Sequence, residues 1–274
     1  MKINKINTYT DYQNLIKRYA SIKRYTNDYI QVEAADLIVH ERLYECHTSF
    51  NLFLLVKKDF GQNGIGYRVY YYIGNVEEIA DFSEYKNLVT EIIFRGEKCY
   101  PQEEIDYFGK CGFSINLIRD QYCGMYKDLQ PSEVREDISV GYAQNNEEIG
   151  KACKLFNTSF DALSGDYISE LRYEALLANN QIIIAKDNNH HFLGALHQTI
   201  EKGVAWISHV AVVPEARGKH VGQALLNTFV ENNYTTEKQR YMFWVQQQND
   251  VAVNMYKKKG FKYLNKSTIS LIKK

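Results

Sequence analysis

The sequence predicts a mixed α/β fold, a sheet with helices laid on its faces. Strand-like and helix-like segments alternate through residues 138–273. Apolar, β-branched runs stop at Pro, Gly or Asn-rich turns, as in "VAVVPEARGKH" (210–220). The helical segments carry one apolar stripe each, as helices lying on a sheet do.

Taken in order, "ISVGYA" (138–143) reads as a short strand. "NNEEIGKACKLFNTSF" (145–160) opens on Asn capping candidates and sets Ile149, Ala152, Leu155 and Phe156 on one face, so it is a helix. "YISELRYEALLA" (167–178) reads as a second helix. "QIIIAK", the turn "DNNH" and "HFLGALHQTI" form a hairpin over 181–200. After the turn Glu201-Lys202-Gly203, "GVAWISHVAVV" (203–213) is a longer strand, broken by Pro214. Val221, Ala224, Leu225 and Phe229 then recur at helical spacing. A strand "RYMFWVQ" (240–246), a helix "DVAVNMYKKK" (250–259) capped by Asn249 and ended by Gly260, and a last strand "FKYLNKSTISLIK" (261–273) complete the series.

The first half follows a similar outline. "DYQNLIKRYASIKRY" (11–25) is a helix, and "SFNLFLLVKKD" pairs with "YRVYYYIGN" around the hairpin loop "FGQNGIG". "LVTEIIFRG" (88–96), "PQEEIDYFGKCG" (101–112) and "FSINLIRDQYCGMY" (113–126) read as strand, short helix and strand. The polar, Pro-bearing stretch 127–136 is the expected linker between a first domain, 1–126, and a second, 137–274.

Composition narrows the function classes. The 33 basic residues balance 33 acidic ones, which argues against a nucleic-acid binder or one that coats anionic membranes. The opening residues lack a signal peptide's apolar core and no run reaches membrane-spanning length, so a cytoplasmic protein is expected. The five cysteines are scattered without a C-x-x-C pair, as reduced thiols would be. His190-His191 fall on a hairpin turn without neighbouring ligands, so no metal is expected.

The chemistry gathers at 210–229 and 245–261. In the first stretch a strand passes through a basic, glycine-bearing turn into a helix, and such a helix start is an anion site. The second pattern is V-x-x-x-N-x-x-A-x-x-x-Y-x-x-x-G-F, met by Val245, Asn249, Ala252, Tyr256, Gly260 and Phe261. It resembles the second signature of the GNAT N-acetyltransferase superfamily. "VAVVPEARGKHVGQALL" resembles the first, [Q/R]-x-x-G-x-[G/A], and the resemblance covers about 137–274.

That resemblance implies acetyl-CoA as co-substrate and a primary amine, small molecule or peptide, as acceptor. The amide groups of Gly218, Lys219, His220, Val221, Gly222 and Gln223 would hold the pyrophosphate, helped by the helix dipole and by Arg217 and Lys219. The backbone of Val210, Ala211 and Val212 would pair with the pantetheine arm and steady the oxyanion. Asn249 matches the asparagine that contacts the cofactor, and Tyr256 matches the tyrosine that protonates the departing thiolate. Glycine is the family's usual residue where His220 stands. We expect His220 in the first helical turn with negative φ, where a side chain is tolerated.

The strands of that region carry no carboxylate base, and Trp206 and Trp244 are bulky where one is expected. His209, grouped by strand phase with Ile207 and Ala211, is the titratable candidate; a water chain or an already neutral amine are the alternatives. Asp161, Asp166 and Glu170 lie where the acceptor would enter. Two readings compete with acetyl transfer: a non-catalytic acyl-CoA sensor, and a transferase using another acyl donor.

The first half echoes the second motif. Aligning "YFGKCGFSINL" with "MYKKKGFKYLN" puts Tyr256 on Phe108 and Asn249 on Pro101. Both chemical groups are lost, so residues 1–126 read as a degenerate acetyltransferase-like domain. Its expected roles are completing the acceptor pocket, packing, or self-association as a homodimer.

Overall fold

The computed structural model describes residues 1–130 and 135–274; the middle of the expected linker, 131–134, lies outside the described residues. In chain order the first half holds β1 (Asn4–Lys5), α1 (Tyr9–Ala20), β2 (Tyr25–Thr26), α2 (Ala34–Val39) and β3 (Leu43–His47). It continues with β4 (Asn51–Asp59), β5 (Ile65–Ile73), β6 (Leu88–Arg95), α3 (Gln102–Lys110) and β7 (Ser114–Met125). The second half holds β8 (Ile138–Tyr142), α4 (Asn146–Ser159), α5 (Tyr173–Ala178), β9 (Ile182–Asp187), β10 (Phe192–Glu201) and β11 (Val204–Val212). Last come α6 (Val221–Asn232), β12 (Arg240–Gln246), α7 (Asp250–Lys259) and β13 (Lys262–Lys273).

The chain divides into two compact units. The first comprises Met1–Ile118, Ala162–Tyr167 and Ser267–Lys274; the second comprises Arg119–Asp161 and Ile168–Lys266. The residues after Ser267, at the far end of the sequence, thus pack with the first unit, where Ile269 and Leu271 join the core around Leu88 and Ile92.

Two expected helices are shorter than their patterns. The helix expected over 11–25 stops at Ala20, because Tyr25 and Thr26 pair instead with Ile73 and Tyr72 of β5. The helix expected from 167 begins only at Tyr173, after a single 3-10 turn at Glu170–Arg172. There the Asn157 amide ties down the backbone of Ile168, accepting from its N–H at 3.0 Å and donating to its carbonyl at 2.9 Å. The sequence reading missed β1, β2, α2 and β3, since elements of two to six residues are too short to display a period.

In the second unit the strand order is β7-β12-β11-β10-β9-β8, with β11 and β12 parallel and the other neighbours antiparallel. One sheet face packs Ile183, Leu196, Ala205 and Ile207 against Leu225, Phe229 and Tyr256 of α6 and α7. The opposite face packs Ile182, Ile184 and Ala195 against Ile149, Ala152 and Phe156 of α4. Alternate residues of one strand therefore serve two cores, which is why β9 reads as a continuous apolar run. In the first unit the order is β1-β3-β4-β5-β6-β13, with β5 and β6 parallel. Among the described residues no helix is long and apolar enough to cross a membrane.

Candidate active site

The site is built on a fork in the sheet of the second unit. β11 and β12 pair over only four residues, from Val204↔Arg240 to Ile207↔Phe243. Both strands then continue, each held on its far side: β11 pairs with β10 as far as Val212↔Gly194, and β12 pairs with β7 as far as Gln246↔Arg119. The facing edges of 208–212 and 244–246 are not paired with each other. A β-bulge accompanies the divergence. His197 pairs with His209 and Gln198 with Ile207, leaving Ser208 as the extra residue, and a bulge bends its strand and increases its twist. Gly194 holds the other side of β11 close, for a Cβ there would lie 2.7 Å from the Ala211 carbonyl oxygen.

The bulge corrects the expected strand phase. Ile207 faces the α6/α7 core, whereas His209 and Ala211 face α4, and Val210 and Val212 now lie toward α6 and α7. His209 is buried, its ring 5.3 Å from Phe156 and 4.9 Å from Phe160. Its Nδ1 lies 3.2 Å from Nδ1 of His197, the rings nearly parallel at 9°. A hydrogen bond between two imidazole nitrogens needs one N–H, so one ring donates and the other accepts.

Beyond Val212 the chain makes a tight 3-10 turn at Pro214–Ala216 and reaches α6 through Arg217-Gly218-Lys219-His220. Gly218 and His220 both have positive φ, +75° and +64°. His220 is therefore the left-handed residue just ahead of the helix, and the expectation of negative φ in the first helical turn is overturned. That explains why glycine suits the position: an L side chain there crowds the backbone. The His220 imidazole turns onto Oε1 of Gln223. The Lys219 N–H is spent on the Ala216 carbonyl at 3.3 Å, which removes one member of the expected cradle. The amides of Val221, Gly222 and Gln223 begin the helix without intrahelical acceptors, and Arg217 and Lys219 stand exposed beside them. A side chain at Gly218 would meet no atom within 4 Å, so the turn leaves open space where an anion would approach.

Tyr256 sits at the vertex of the fork. Its ring is 4.0 Å from that of Phe243, the last β12 residue paired with β11, and 6.0 Å from that of Phe261. It is 6% exposed, and burial pushes its phenol well above the ordinary value, so the hydroxyl keeps its proton. Asn249 caps α7, its Oδ1 accepting the Ala252 N–H at 3.2 Å, and its side-chain NH₂ is left for other partners. Gly260 ends α7 at φ +106°, and the Phe261 N–H returns to the Tyr256 carbonyl at 3.1 Å.

The expected acceptor-side acids are divided between the two units. Asp166 belongs to the first unit, 3.6 Å from Lys58, whereas Asp161 and Glu170 belong to the second. His191 is held by Asp187 at 3.0 Å, and no group of three potential metal ligands occurs among the described residues.

The first unit contains a second fork, one the sequence did not disclose. β5 and β6 pair in parallel from Tyr67↔Leu88 to Val69↔Thr90 and then continue apart. Here the chain fills the opening. Tyr25 and Thr26 pair with β5, and the Arg24 N–H donates to the Ile73 carbonyl at 2.7 Å. The Asn27 side chain bridges the two strands, accepting the Tyr71 N–H at 2.8 Å and donating to Thr90 Oγ1 at 3.1 Å and the Glu91 carbonyl at 2.8 Å. The following helix-to-strand corner matches that of α7: Pro101 precedes α3, Gly112 has φ +88°, and the Phe113 N–H donates to the Phe108 carbonyl at 2.9 Å. No described helix lies between β5 and β6, where α6 lies between β11 and β12.

The comparisons with known proteins agree with this geometry. The family described as "Acetyltransferase (GNAT) domain" matches residues 178–263, which contain the fork, α6, Asn249 and Tyr256. Comparison with curated proteins gives no sequence match. Among solved structures the chain is similar to a GCN5-related N-acetyltransferase from Sphaerobacter thermophilus, with 12% identity and TM-score 0.58, covering 81% of this chain and 75% of that one. It is similar to a GNAT-family acetyltransferase from Colwellia psychrerythraea, with 15% identity and TM-score 0.54, covering 100% and 99%. It is also similar to a tandem GNAT protein from the clavulanic acid biosynthesis pathway, with 11% identity and TM-score 0.59, covering 98% and 97%. At these identities the likeness is one of fold. With the forked sheet, it shows that the chain has the GNAT acetyltransferase fold, and residues 178–263 are similar in sequence to the GNAT acetyltransferase domain.

Proposed function

We propose that the second unit is an acetyl-CoA-dependent N-acetyltransferase acting on a primary amine. The observation that carries this reading is the β11/β12 fork, with Tyr256 at its vertex and the start of α6 beyond β11. The pantetheine arm would add to the free edge of 210–212 like a short strand, and the Val221–Gln223 amides with Arg217 would take the pyrophosphate. The amine nitrogen attacks the thioester carbonyl, backbone N–H groups of the β11 edge steady the oxyanion, and the C–S bond breaks. Tyr256 gives its proton to the departing sulfur, and its burial keeps that proton available across the working pH range. His209, on the opposite sheet face from Tyr256, is the candidate to take the proton the amine loses; water is the alternative.

The first unit, on this reading, is a degenerate copy of the same fold. Its matching corner at Gly112-Phe113, with Phe108 where Tyr256 stands and Pro101 where Asn249 stands, supports that descent. The domain division at 127–136 belongs to the same proposal. A non-catalytic acyl-CoA sensor remains the second reading, favoured by the lack of any carboxylate on β11 or β12. The test is turnover of acetyl-CoA against a panel of small-molecule and peptide amines, together with mass spectrometry of copurified cofactor. Amine-dependent release of CoA supports the transferase. Tight acetyl-CoA binding without turnover on any amine moves the protein to the sensor class, and copurification of another acyl thioester redefines the donor.

A further inference from the structure

The Ser208 bulge brings two imidazoles together on one sheet face of the second unit. His209 lies two residues past Ile207↔Phe243, the last pair before the fork opens, and stands directly opposite His197 of β10. Both rings are buried, with Nδ1 facing Nδ1 at 3.2 Å. Phe156 packs against both rings and Phe160 against His209. The core around them draws apolar residues from α4, α5, β9 and β10: Ile149, Ala152, Leu176, Ile182, Ile184 and Ala195. Three groups that titrate or carry charge come with those elements among the described residues: the Cys153 thiol, pushed up to about 12 by burial, Arg172, close enough to act on that thiol, and Tyr173. Asp161 follows Phe160 in the chain. Burial in such a core disfavours a charged imidazole. An acceptor on the ring's far nitrogen offsets that cost at the moment a proton arrives.

We infer that His197 is a positioning residue for His209. It accepts the His209 Nδ1–H on its own Nδ1, which leaves the Nε2 lone pair of His209 to take the proton the attacking amine loses. The inference rests on the transferase reading above and adds to it the group that fixes the base. The reverse hydrogen bond would put the proton of neutral His209 on Nε2 and leave no lone pair there. In the step, the N–C bond forms as the C–S bond breaks, the amine proton passes to His209 Nε2, and the sulfur takes the Tyr256 proton. His209 is then an imidazolium whose Nδ1–H still points at a lone pair of His197. A second proton on the pair is opposed by like charge and by the two Nδ1–H groups that would meet across 3.2 Å, so the rings titrate as one coupled unit.

The experiment has two arms on the full chain. The first is NMR of the wild-type protein with isotope-labelled histidine, which needs neither turnover nor cofactor. It should show His209 protonated on Nδ1 and His197 on Nε2, with one proton taken up by the pair between pH ~8 and ~5. The second is kinetics of His197→Leu, which keeps bulk and removes the acceptor, and of His197→Asn, which restores an acceptor oxygen near the Nδ1 position. His197→Leu should lower kcat roughly ten- to a hundredfold, part of what a general base contributes, with little change in KM. Its acid limb in the pH–rate profile should move to lower pH, because the imidazolium has lost its acceptor, and His197→Asn should recover most of the rate. A His209 proton on Nε2, independent uptake of two protons, an unmoved acid limb, or an Asn variant no better than the Leu variant would overturn the assignment. Should His197→Leu fail to fold, the wild-type spectra and His197→Asn decide it. Absence of turnover on every amine, with the expected spectra, overturns the transferase reading and the base role with it. Turnover with the wrong tautomer overturns the role of His197 alone.

Discussion

The two forks of this chain begin alike and end differently. In each, a parallel strand pair runs for three or four residues and then separates, and a helix ending in a left-handed glycine and a phenylalanine follows. Past the last pair of β5 and β6, Asn27 satisfies both strand edges with its one amide group, and residues 24–26 pair along β5. Past the last pair of β11 and β12, at Ile207↔Phe243, the two strands are no longer paired with each other. Unpaired strand edges are unfavourable when buried, so each fork needs a partner. The first takes one from its own sequence, and on the proposed function the second would take one from the pantetheine arm of acetyl-CoA. The difference extends to chemistry: Phe108 and Pro101 stand at the corner of the first unit, while Tyr256 and Asn249 place a phenol and a capping amide at the same places in the second.

The largest effect expected from this comparison comes from converting the second corner toward the first. Tyr256→Phe removes the hydroxyl and keeps the ring against Phe243, so turnover should fall about 10²–10⁴-fold while acetyl-CoA affinity changes little. Steady-state kinetics beside equilibrium binding separate the two. An equal loss in both would make Tyr256 a packing residue. The pH profile sharpens the point. Burial raises the phenol, so its protonated, folded-state form is secure below pH ~10 and is lost only as pH rises through the elevated value. The wild-type rate should therefore show no descending limb from Tyr256 below pH ~10.

Opening the first fork is the next test. Asn27→Ala leaves the Tyr71 N–H and the Glu91 carbonyl without their partner and should cost about 2–4 kcal/mol in denaturant unfolding. Wild-type protein should bind one acetyl-CoA per chain by calorimetry; two per chain would mean that the Asn27 bridge does not close the first fork. Asn249→Ala removes the α7 cap and should cost about 1 kcal/mol of stability, with weaker acetyl-CoA binding as a second readout. The smallest effect belongs to His220→Gly. It relieves a left-handed L residue but frees the unfolded chain, so stability should rise by no more than about 1 kcal/mol. Acetyl-CoA affinity should change modestly, and abolished binding would show that the imidazole on Gln223 shapes the turn.

Much of the second unit was legible because its signals are local. Val210–Val213 stopped by Pro214, the helical spacing from Val221 to Phe229, and the Asn249 and Gly260 caps each lie within a few residues and map onto β11, α6 and α7. The resemblance between Gly112-Phe113 and Gly260-Phe261 was likewise visible as a short motif. What escaped depends on neighbours remote in sequence. The Ser208 bulge, which moves His209 from the face of Ile207 to that of Phe156, exists only against the register of β10. The isolated Gly194 within a strand was the one available hint of close backbone approach there. Asn27 looks like any polar loop residue until β5 and β6 are placed on either side of it.

The sequence by itself determined the alternation of strands and helices in the second half, the helix that follows Pro214, and the Asn249 and Gly260 caps of α7. Those follow from side-chain periodicity, caps and residue chemistry, which act within a turn or two of the chain. Tertiary structure alone decided that Asn27 and residues 24–26 fill the fork of the first unit, that the strand residues after Ser267 pack with the first unit, and that His220 is left-handed. Each of these is settled by hydrogen bonds and packing between segments far apart in sequence, where the energy of satisfying a strand edge or filling a core outweighs local preference.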